Sequence, residues 1–152
     1  ARLKEDPLQT ICHGDAKDAN MLFDDTGAVA FYDFQWTGKA AASKDIAYCL
    51  ACAAGCLTSA QELNYLRHYH FELGGALADQ GDQQPGFEML QKSYILAACD
   101  LARFMSGSSI GWWGHTRVLR KHLSDAMLTL DNGVALASAE AYREAVFKHF
   151  PM

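Results

Sequence analysis

Three polar residues near the beginning of the chain have the types and the spacing that phosphoryl transfer requires. Asp15 lies five residues before Asn20, and Asp33 follows thirteen residues later, directly before Phe34. In protein kinases this spacing combines an Asp that accepts the proton of the substrate hydroxyl with an Asn and a second Asp that hold Mg²⁺. Because Mg²⁺ takes hard oxygen ligands in near-octahedral geometry, the two metal ligands must approach it from separate backbone segments. The pattern therefore indicates a site for Mg²⁺ and a nucleoside triphosphate such as ATP.

A predicted β-hairpin explains how the two proposed metal ligands meet. Two short β-rich runs, 21–23 and 28–32, are separated by residues 24–27, whose Asp-Asp-Thr-Gly composition favours a tight reversal. Asn20 lies at the start of the first run and Asp33 at the end of the second. Antiparallel pairing brings those two ends together, within reach of one ion. The hairpin supports the metal site without reference to any family.

The same stretch resembles the aminoglycoside phosphotransferase and choline kinase group, and is most similar to its ecdysteroid-kinase-like branch, where Gln commonly follows the Asp-Phe pair. The motifs that carry the resemblance occupy residues 13–15, 20–23, 31–35 and 44–48. They cover roughly residues 8–50 only, and the remaining chain agrees with the group by its helical pattern alone.

The resemblance implies a fold and a role for each motif residue. The fold is the C-terminal lobe of a protein-kinase-like small-molecule kinase. Asp15 is implied to be the catalytic base, and Asn20 and Asp33 to be the Mg²⁺ ligands. The resemblance also implies that His13 braces the catalytic loop and that Asp45, as a buried carboxylate, pins its backbone.

Two of these positions have second interpretations. Lys17 occupies the place where protein kinases carry a lysine that touches the transferred phosphate, so we expect it to be an optional charge stabiliser in catalysis. Asp45 lies in the segment Ser43-Lys44-Asp45, which is typical of the start of a helix. A helix-capping role for Asp45 is therefore an alternative to loop pinning, and the two roles are compatible.

Composition limits the classes of protein to which the chain can belong. The 152 residues suit one domain, and 50% hydrophobic with 20% charged residues is ordinary for a soluble globular protein. A net charge of −5 disfavours binding to a nucleic-acid backbone. The longest apolar run is too short for a membrane-spanning helix. We therefore expect neither nucleic acid nor membrane as a partner.

The cysteines indicate the compartment. There are five, an odd number, which suits a reducing environment and a cytoplasmic location better than a disulfide framework. Cys49, Cys52 and Cys56 have the spacing of one helix face. Buried thiols are the favoured interpretation, because free cysteine is among the most buried residue types, and a metal site is the weaker alternative.

The pattern downstream of the motifs predicts an α-rich α+β fold. Residues 36–43 are predicted to be a loop, and 46–57 a largely apolar helix in the centre of the core. Ser59 and Glu62 have the spacing of a capping box at the start of the next helix. Further helices are predicted at about 59–77, 86–105 with Phe104 facing inward, 116–130 and 138–149.

Segments that a complete kinase needs are not recognisable in the sequence. The Gly-rich phosphate-covering loop and the strand lysine precede the catalytic loop in kinases, and no G-x-G-x-x-G pattern occurs here. We therefore expect residues 1–152 to form a single C-terminal lobe whose nucleotide-binding N-terminal lobe is absent. Such a lobe would expose apolar surface and self-associate.

The main functional hypothesis is ATP-dependent phosphorylation of a hydroxyl group on a small-molecule alcohol. One alternative is an inactive fragment or a non-catalytic binding module of kinase-like ancestry. A weaker alternative is a metal-dependent hydrolase that uses His13, Asp15 and Asp33. The sequence leaves the acceptor open: Trp112 and Trp113 either form an aromatic wall for a cationic or flat acceptor or pack onto the last helices.

Overall fold

The computed structural model describes residues 2–53, 57–107 and 117–151, and most of these residues are helical. Four short strands all lie before the first helix. They are β1 (Gln9–Cys12), β2 (Met21–Phe23), β3 (Val29–Phe31) and β4 (Gly38–Ala41). The helices are α1 (Ser43–Ala53), α2 (Ser59–Ala78), α3 (Phe87–Gly107), α4 (Arg117–Asp131) and α5 (Ala139–His149). The predicted helix-rich chain with a small β component is confirmed.

Strands β2 and β3 form the predicted antiparallel hairpin. Met21 lies opposite Phe31, and Phe23 lies opposite Val29. The reversal is stabilised by the Asp24 carboxylate, whose Oδ1 accepts hydrogen bonds from two backbone N–H groups of the turn at 2.9 Å each. Local turn chemistry of this kind is readable from sequence, which is why the hairpin prediction succeeded.

Strands β1 and β4 form a second antiparallel pair, with Gln9 opposite Ala41 and Cys12 opposite Gly38. The prediction of a loop over 36–43 is therefore wrong for Gly38–Ala41. Strand β4 has the sequence Gly-Lys-Ala-Ala, which contains none of the β-branched or aromatic residues that favour strands. Its conformation is stabilised by pairing with β1, a contact that is distant in sequence.

The core forms where α1 packs against α3. Ala47 and Ala51 of α1 lie against Tyr94 and Ala98 of α3 in one buried cluster, which α2 and α4 also join. Small side chains let the two helices approach closely. The prediction that Phe104 faces inward is wrong, because its side chain is 62% exposed. The buried stripe of α3 passes through Ala98 and its next turn at Ala102, which leaves Phe104 at the edge.

A buried polar cluster ties three helices together. The carboxylate of Glu62 on α2 accepts hydrogen bonds from the Tyr94 hydroxyl on α3 and from Nε2 of His122 on α4, the latter at 2.9 Å. Glu62 is 4% exposed and Tyr94 is 1% exposed. Burial and the hydrogen bond to Glu62 raise the pKa of Tyr94 far above its usual range, so its hydroxyl remains a donor.

Helix boundaries follow capping signals, and several differ from the predicted ones, most of all α1, which begins at Ser43 where the prediction began at residue 46. The capping box of α2 is formed by Thr58 and Gln61, one residue earlier than the predicted Ser59 and Glu62. Helix α4 ends at a left-handed stop, where Asn132 has φ 51°. No helix within 2–53, 57–107 or 117–151 combines the length and the apolar character that crossing a membrane demands.

Candidate active site

The loop between β1 and β2 carries the residues predicted to act in catalysis, and His13 braces it. The Nδ1 atom of His13 accepts a hydrogen bond from the backbone N–H of Asp15 at 3.2 Å. A neutral imidazole with Nδ1 as acceptor carries its proton on Nε2, and Nε2 lies 2.9 Å from the carbonyl oxygen of Tyr32. One side chain therefore connects the loop to the end of the hairpin, as the resemblance implied.

Asp45, in the first turn of α1, fixes the backbone of the same loop. Its Oδ2 accepts a hydrogen bond from the His13 N–H at 2.6 Å, and its Oδ1 accepts one from the Gly14 N–H at 3.0 Å. Hydrogen bonds to an ionised acceptor are about twice as strong as neutral ones. The loop-pinning interpretation of Asp45 is therefore confirmed by the geometry.

Gly14 is required by the shape of the loop, a feature that the sequence analysis missed. Its φ is +84°, and a Cβ atom built on it would lie 2.2 Å from the backbone oxygen of Trp36. A non-glycine residue would be strained by the positive φ and would also collide with backbone. The absence of a side chain lets the loop lie directly against the segment after β3.

The Asp15 carboxylate lies at the centre of a cluster of hydrogen-bond donors. It is 7% exposed, and its Oδ2 accepts hydrogen bonds from Lys17 Nζ and from Asn20 Nδ2, each at 2.8 Å. Burial by itself would raise the pKa of Asp15, but hydrogen bonds from Lys17, Tyr48 and Asn20 outweigh it and hold the pKa below its usual value. Asp15 is therefore ionised at neutral pH.

Lys17 forms the ionic partner of Asp15. The hydrogen bond to Asp15 is the main cause that raises the pKa of Lys17, and the negative charge of Asp33 contributes in the same direction. Lys17 is thus a cation at neutral pH that is sensitive to both carboxylates of the predicted site.

Asn20 is buried, and its side-chain oxygen has no hydrogen-bond donor among the described residues. Its Nδ2 donates hydrogen bonds to the carboxylate and to the backbone oxygen of Asp15. Within the part of the chain that the structure describes, no group donates a hydrogen bond to its Oδ1. That oxygen is chemically suited to a metal ion.

Asp33 lies at the end of β3, near Asn20 but without a direct bond to it. The backbone N–H of Tyr32 donates to the Asn20 carbonyl at 3.2 Å, so the hairpin register brings the two segments together. Within the described residues, the side-chain hydrogen bond of Asp33 is with Gln35 Nε2 at 3.3 Å. Its backbone is left-handed, with φ 63° and ψ 61°, a conformation that few non-glycine residues adopt.

Tyr48 is a member of the site that the sequence analysis did not assign. Its side chain helps to hold the pKa of Asp15 below the usual value, so it faces the Asp15 carboxylate. The residue lies on α1 three positions after Asp45, and residues three apart share a helix face. This spacing is the sequence signal that would have found it once Asp45 was known to face the loop.

The oxygen donors of Asn20 and Asp33 fit Mg²⁺. Hard carboxylate and carbonyl oxygens are the ligands that Mg²⁺ prefers. In the described ranges, no three His, Cys, Asp or Glu side chains gather into a group able to hold a metal. Cys49 and Cys52 are half-buried, while Cys56 lies outside the described residues.

Two cavities border the loop. One of about 790 Å³ is mostly apolar and lies between the hairpin, α1 and α2, with Ile11 and Phe34 among its lining residues. The other, of about 460 Å³, lies between β4, α1 and α3, and its lining includes Gly14, Tyr48 and Trp36. The predicted aromatic wall of Trp112 and Trp113 lies outside the described residues.

Comparison with known proteins gives one match. The model of the phosphotransferase enzyme family matches residues 1–79, a segment that contains all four strands, α1, α2 and every loop residue discussed above. No curated protein and no solved structure matches the chain. The helices from α3 onward lie outside the matched segment.

Proposed function

Because the chain belongs to the phosphotransferase enzyme family, we propose that it transfers the γ-phosphoryl group of ATP to a hydroxyl group of a small molecule. The observation that carries the proposal is the ionised Asp15, which is held by Lys17 and Asn20 on a loop that Asp45 pins. An ionised carboxylate at a fixed position is what a phosphotransferase needs to orient a hydroxyl nucleophile.

Asp15 is the proposed catalytic base. Its carboxylate accepts a hydrogen bond from the acceptor hydroxyl and takes that proton as the new O–P bond forms. The bond between the γ-phosphorus and its bridging oxygen breaks, and ADP leaves. Lys17, now paired with Asp15, is proposed to turn its ammonium group to the transferred phosphoryl. The chemistry depends mainly on positioning and on fixed charges.

Asn20 and Asp33 are the proposed ligands of Mg²⁺. Asn20 offers an Oδ1 without a donor among the described residues, and Asp33 offers an exposed carboxylate on a left-handed residue. Backbone strain of this kind persists where the surrounding structure maintains it, often at ligand-binding sites. When bound, Mg²⁺ would neutralise the phosphate charge.

We assign the acceptor to the cavity of about 460 Å³ between β4, α1 and α3. Tyr48 lines this cavity, and its side chain helps to lower the pKa of Asp15, so a hydroxyl group entering beside Tyr48 approaches the proposed base. A volume of this size suits a small-molecule alcohol.

The metal site is tested by replacing Asp33 with glycine. Glycine accepts a φ of 63° readily, so Asp33→Gly removes the carboxylate while changing the stability of the free protein by no more than about 1 kcal/mol. Asn132→Gly is the matched control, because Asn132 also has a positive φ, 51°, but lies after α4. Thermal unfolding is followed with and without Mg²⁺ and ATP.

We expect Mg²⁺ and ATP to raise Tm by about 5–10 °C at a hundredfold excess over Kd. The increase persists in Asn132→Gly and disappears in Asp33→Gly. An equal increase in both variants would contradict the assignment of Asp33.

A turnover assay distinguishes the phosphotransferase from a non-catalytic binding module. ADP formation from ATP is measured for the wild-type chain and for Asp15→Asn, which keeps the shape of the side chain but removes its basicity. Loss of ADP formation in Asp15→Asn supports the phosphotransferase. Binding of Mg²⁺ and ATP by the wild-type chain without any ADP formation favours the non-catalytic binding module.

A further inference from the structure

We infer that the acceptor is an anionic alcohol, a molecule with a hydroxyl group, an apolar body and a carboxylate or similar anionic group. The inference rests on the proposed function, because it names the class of substrate for the cavity of about 460 Å³ to which we assigned the acceptor. The charged groups and the exposed aromatic side chains that line this cavity support it.

Three cations and two carboxylates line the cavity. The cations come from three elements, Lys39 from β4, Lys44 from α1 and Arg103 from α3. The carboxylates are those of Asp45 and Asp100. The chain as a whole carries a net charge of −5, so the excess of cations is a local feature of the cavity.

Both carboxylates of the cavity already have partners. Asp45 accepts hydrogen bonds from the backbone N–H groups of His13 and Gly14. Asp100 accepts two from the Arg103 guanidinium, at 3.1 Å from Nε and at 2.8 Å from Nη2. A cationic acceptor would therefore have to compete with these groups for a carboxylate.

The two lysines of the cavity are in the opposite situation. Within 2–53, 57–107 and 117–151, neither Lys39 nor Lys44 forms an ion pair with a carboxylate. Lys44 lies four positions before Tyr48 on α1, so the two share a helix face, and both line the cavity. An ammonium group forms its strongest hydrogen bonds with anions. Lys44 is the main contact for the anionic group, and Lys39 adds a second positive charge.

Exposed aromatic side chains give the cavity an apolar part. Trp36 and Phe104 both line it, and they are 67% and 62% exposed. Ala97, Leu101 and Phe104 lie three or four residues apart on α3, so they present one apolar stripe to the cavity. An acceptor with an apolar body would cover this surface, while its anionic group reaches Lys44.

Three hydroxyl compounds of one shape and different charge test the preference. They are para-(hydroxymethyl)benzoate, an anion, para-(hydroxymethyl)benzamide, which is neutral, and para-(hydroxymethyl)benzylamine, a cation. Each is titrated into the isotope-labelled chain, and Kd is measured from the amide NMR shifts of Gly14 and Tyr48. We expect the benzoate to bind about three- to tenfold more tightly than the benzamide, and the benzylamine to bind most weakly. Equal Kd values for the benzoate and the benzamide, or no saturable shift with the benzoate, would overturn the inference.

Two lysine variants assign the preference to the cavity. Lys44→Ala removes the main contact, and Lys92→Ala is the matched control, because Lys92 is an exposed lysine of α3 that lines neither cavity. We expect Kd for the benzoate to rise about three- to tenfold in Lys44→Ala only, with Kd for the benzamide unchanged in both variants. The same rise in both variants would show a response to net charge alone, and the inference would be wrong.

Charge reversal gives a sharper result than charge removal. Lys44→Glu puts a carboxylate at the same position, so we expect the benzylamine to bind more tightly than the benzoate in this variant. High salt should weaken the binding of the benzoate to the wild-type chain and leave that of the benzamide unchanged. A benzoate preference that survives in Lys44→Glu would contradict the assignment of Lys44.

The alternative is that Lys44 binds the phosphate groups of ATP. The increase in Tm with Mg²⁺ and ATP distinguishes the two roles, because we expect it to be equal in Lys44→Ala and Lys92→Ala. A smaller increase in Lys44→Ala would assign Lys44 to the nucleotide and overturn the inference.

The inference and the proposed function fail separately. Binding of the benzoate needs neither ATP nor turnover, so a preference that depends on Lys44 supports the anion site even where the absence of ADP formation refutes the phosphotransferase. Formation of ADP that the benzylamine stimulates and the benzoate does not would support the phosphotransferase and overturn the anionic acceptor.

Discussion

Replacing Asp45 with alanine removes the acceptor of two loop N–H groups at once. The bonds measure 2.6 Å to the N–H of His13 and 3.0 Å to that of Gly14. A hydrogen bond to a charged group contributes about 1.5–3 kcal/mol. The hydrogen bond to His13 is partly buried and contributes its full free energy. The hydrogen bond to Gly14 is exposed, so water partly replaces it when the carboxylate is removed. We therefore expect Asp45→Ala to lower the free energy of unfolding by about 2–4 kcal/mol.

The size of the effect distinguishes loop pinning from a helix-end role. A carboxylate that only interacts with the positive end of a helix contributes about 0.3–1 kcal/mol. Asp45→Asn retains one acceptor oxygen, so we expect it to lose roughly half as much as Asp45→Ala. Lys44→Ala, at the exposed neighbouring position, is the control and should change stability by less than about 0.5 kcal/mol.

Urea unfolding measures these differences, and amide hydrogen exchange locates them. In Asp45→Ala, the His13 amide should exchange faster by a larger factor than the amides of α3. The reasoning is refuted if Asp45→Ala costs less than about 1 kcal/mol and the exchange rate of the His13 amide stays at its wild-type value.

Three further predictions follow from the same structure. Gly14→Ala should lower the free energy of unfolding by roughly 3 kcal/mol or more, because its Cβ would lie 2.2 Å from a backbone oxygen. Gly27→Ala, with the same φ of 84° and nothing within 4 Å of its Cβ, should lower it by only about 1–2 kcal/mol. Similar losses in chemical denaturation would contradict this. Glu62→Ala leaves the buried Tyr94 hydroxyl and the partly buried His122 ring without their acceptor, and should lower the free energy of unfolding by about 2–5 kcal/mol. The exposed Glu72→Ala should lower it by less than about 0.5 kcal/mol; calorimetry that ranks them equally would refute the cluster. Burial raises the pKa of the Cys12 thiol from 9.0 to about 11. Iodoacetamide at pH 8 should therefore alkylate Cys12 about a hundredfold more slowly in the folded than in the unfolded chain. Equal alkylation rates by mass spectrometry would contradict this prediction.

The sequence predicts the elements that are stabilised by interactions between residues close together in the chain. The hairpin was predictable because its turn residues stabilise the reversal by themselves, and so was the left-handed end of α4. Strand β4 was not predictable, because its conformation depends on pairing with β1 about thirty residues earlier. The capping box of α2 was predicted one residue too late, since Thr58 and Ser59 are both favourable cap residues.

In the candidate site, too, the residues placed by local sequence were predicted and those placed by distant contacts were missed. The spacing of Asp15 and Asn20 predicted two residues on one loop, and the side chains are in contact. Asp33 was expected at the adjacent hairpin end because register follows from the turn, while its role as a metal ligand stays a prediction. Gly14 and Tyr48 were missed, because the first is required by contact with a distant backbone segment and the second by the direction in which α1 crosses the loop.

The most direct test of the central claim replaces Mg²⁺ with paramagnetic Mn²⁺ in the presence of ATP. A metal held between the loop and the hairpin end predicts that the NMR signals of Asp15, Asn20 and Asp33 broaden first, and that Asp33→Gly abolishes the effect while Asn132→Gly does not. Broadening centred on any other part of the molecule, or the same broadening in both variants, would contradict the account.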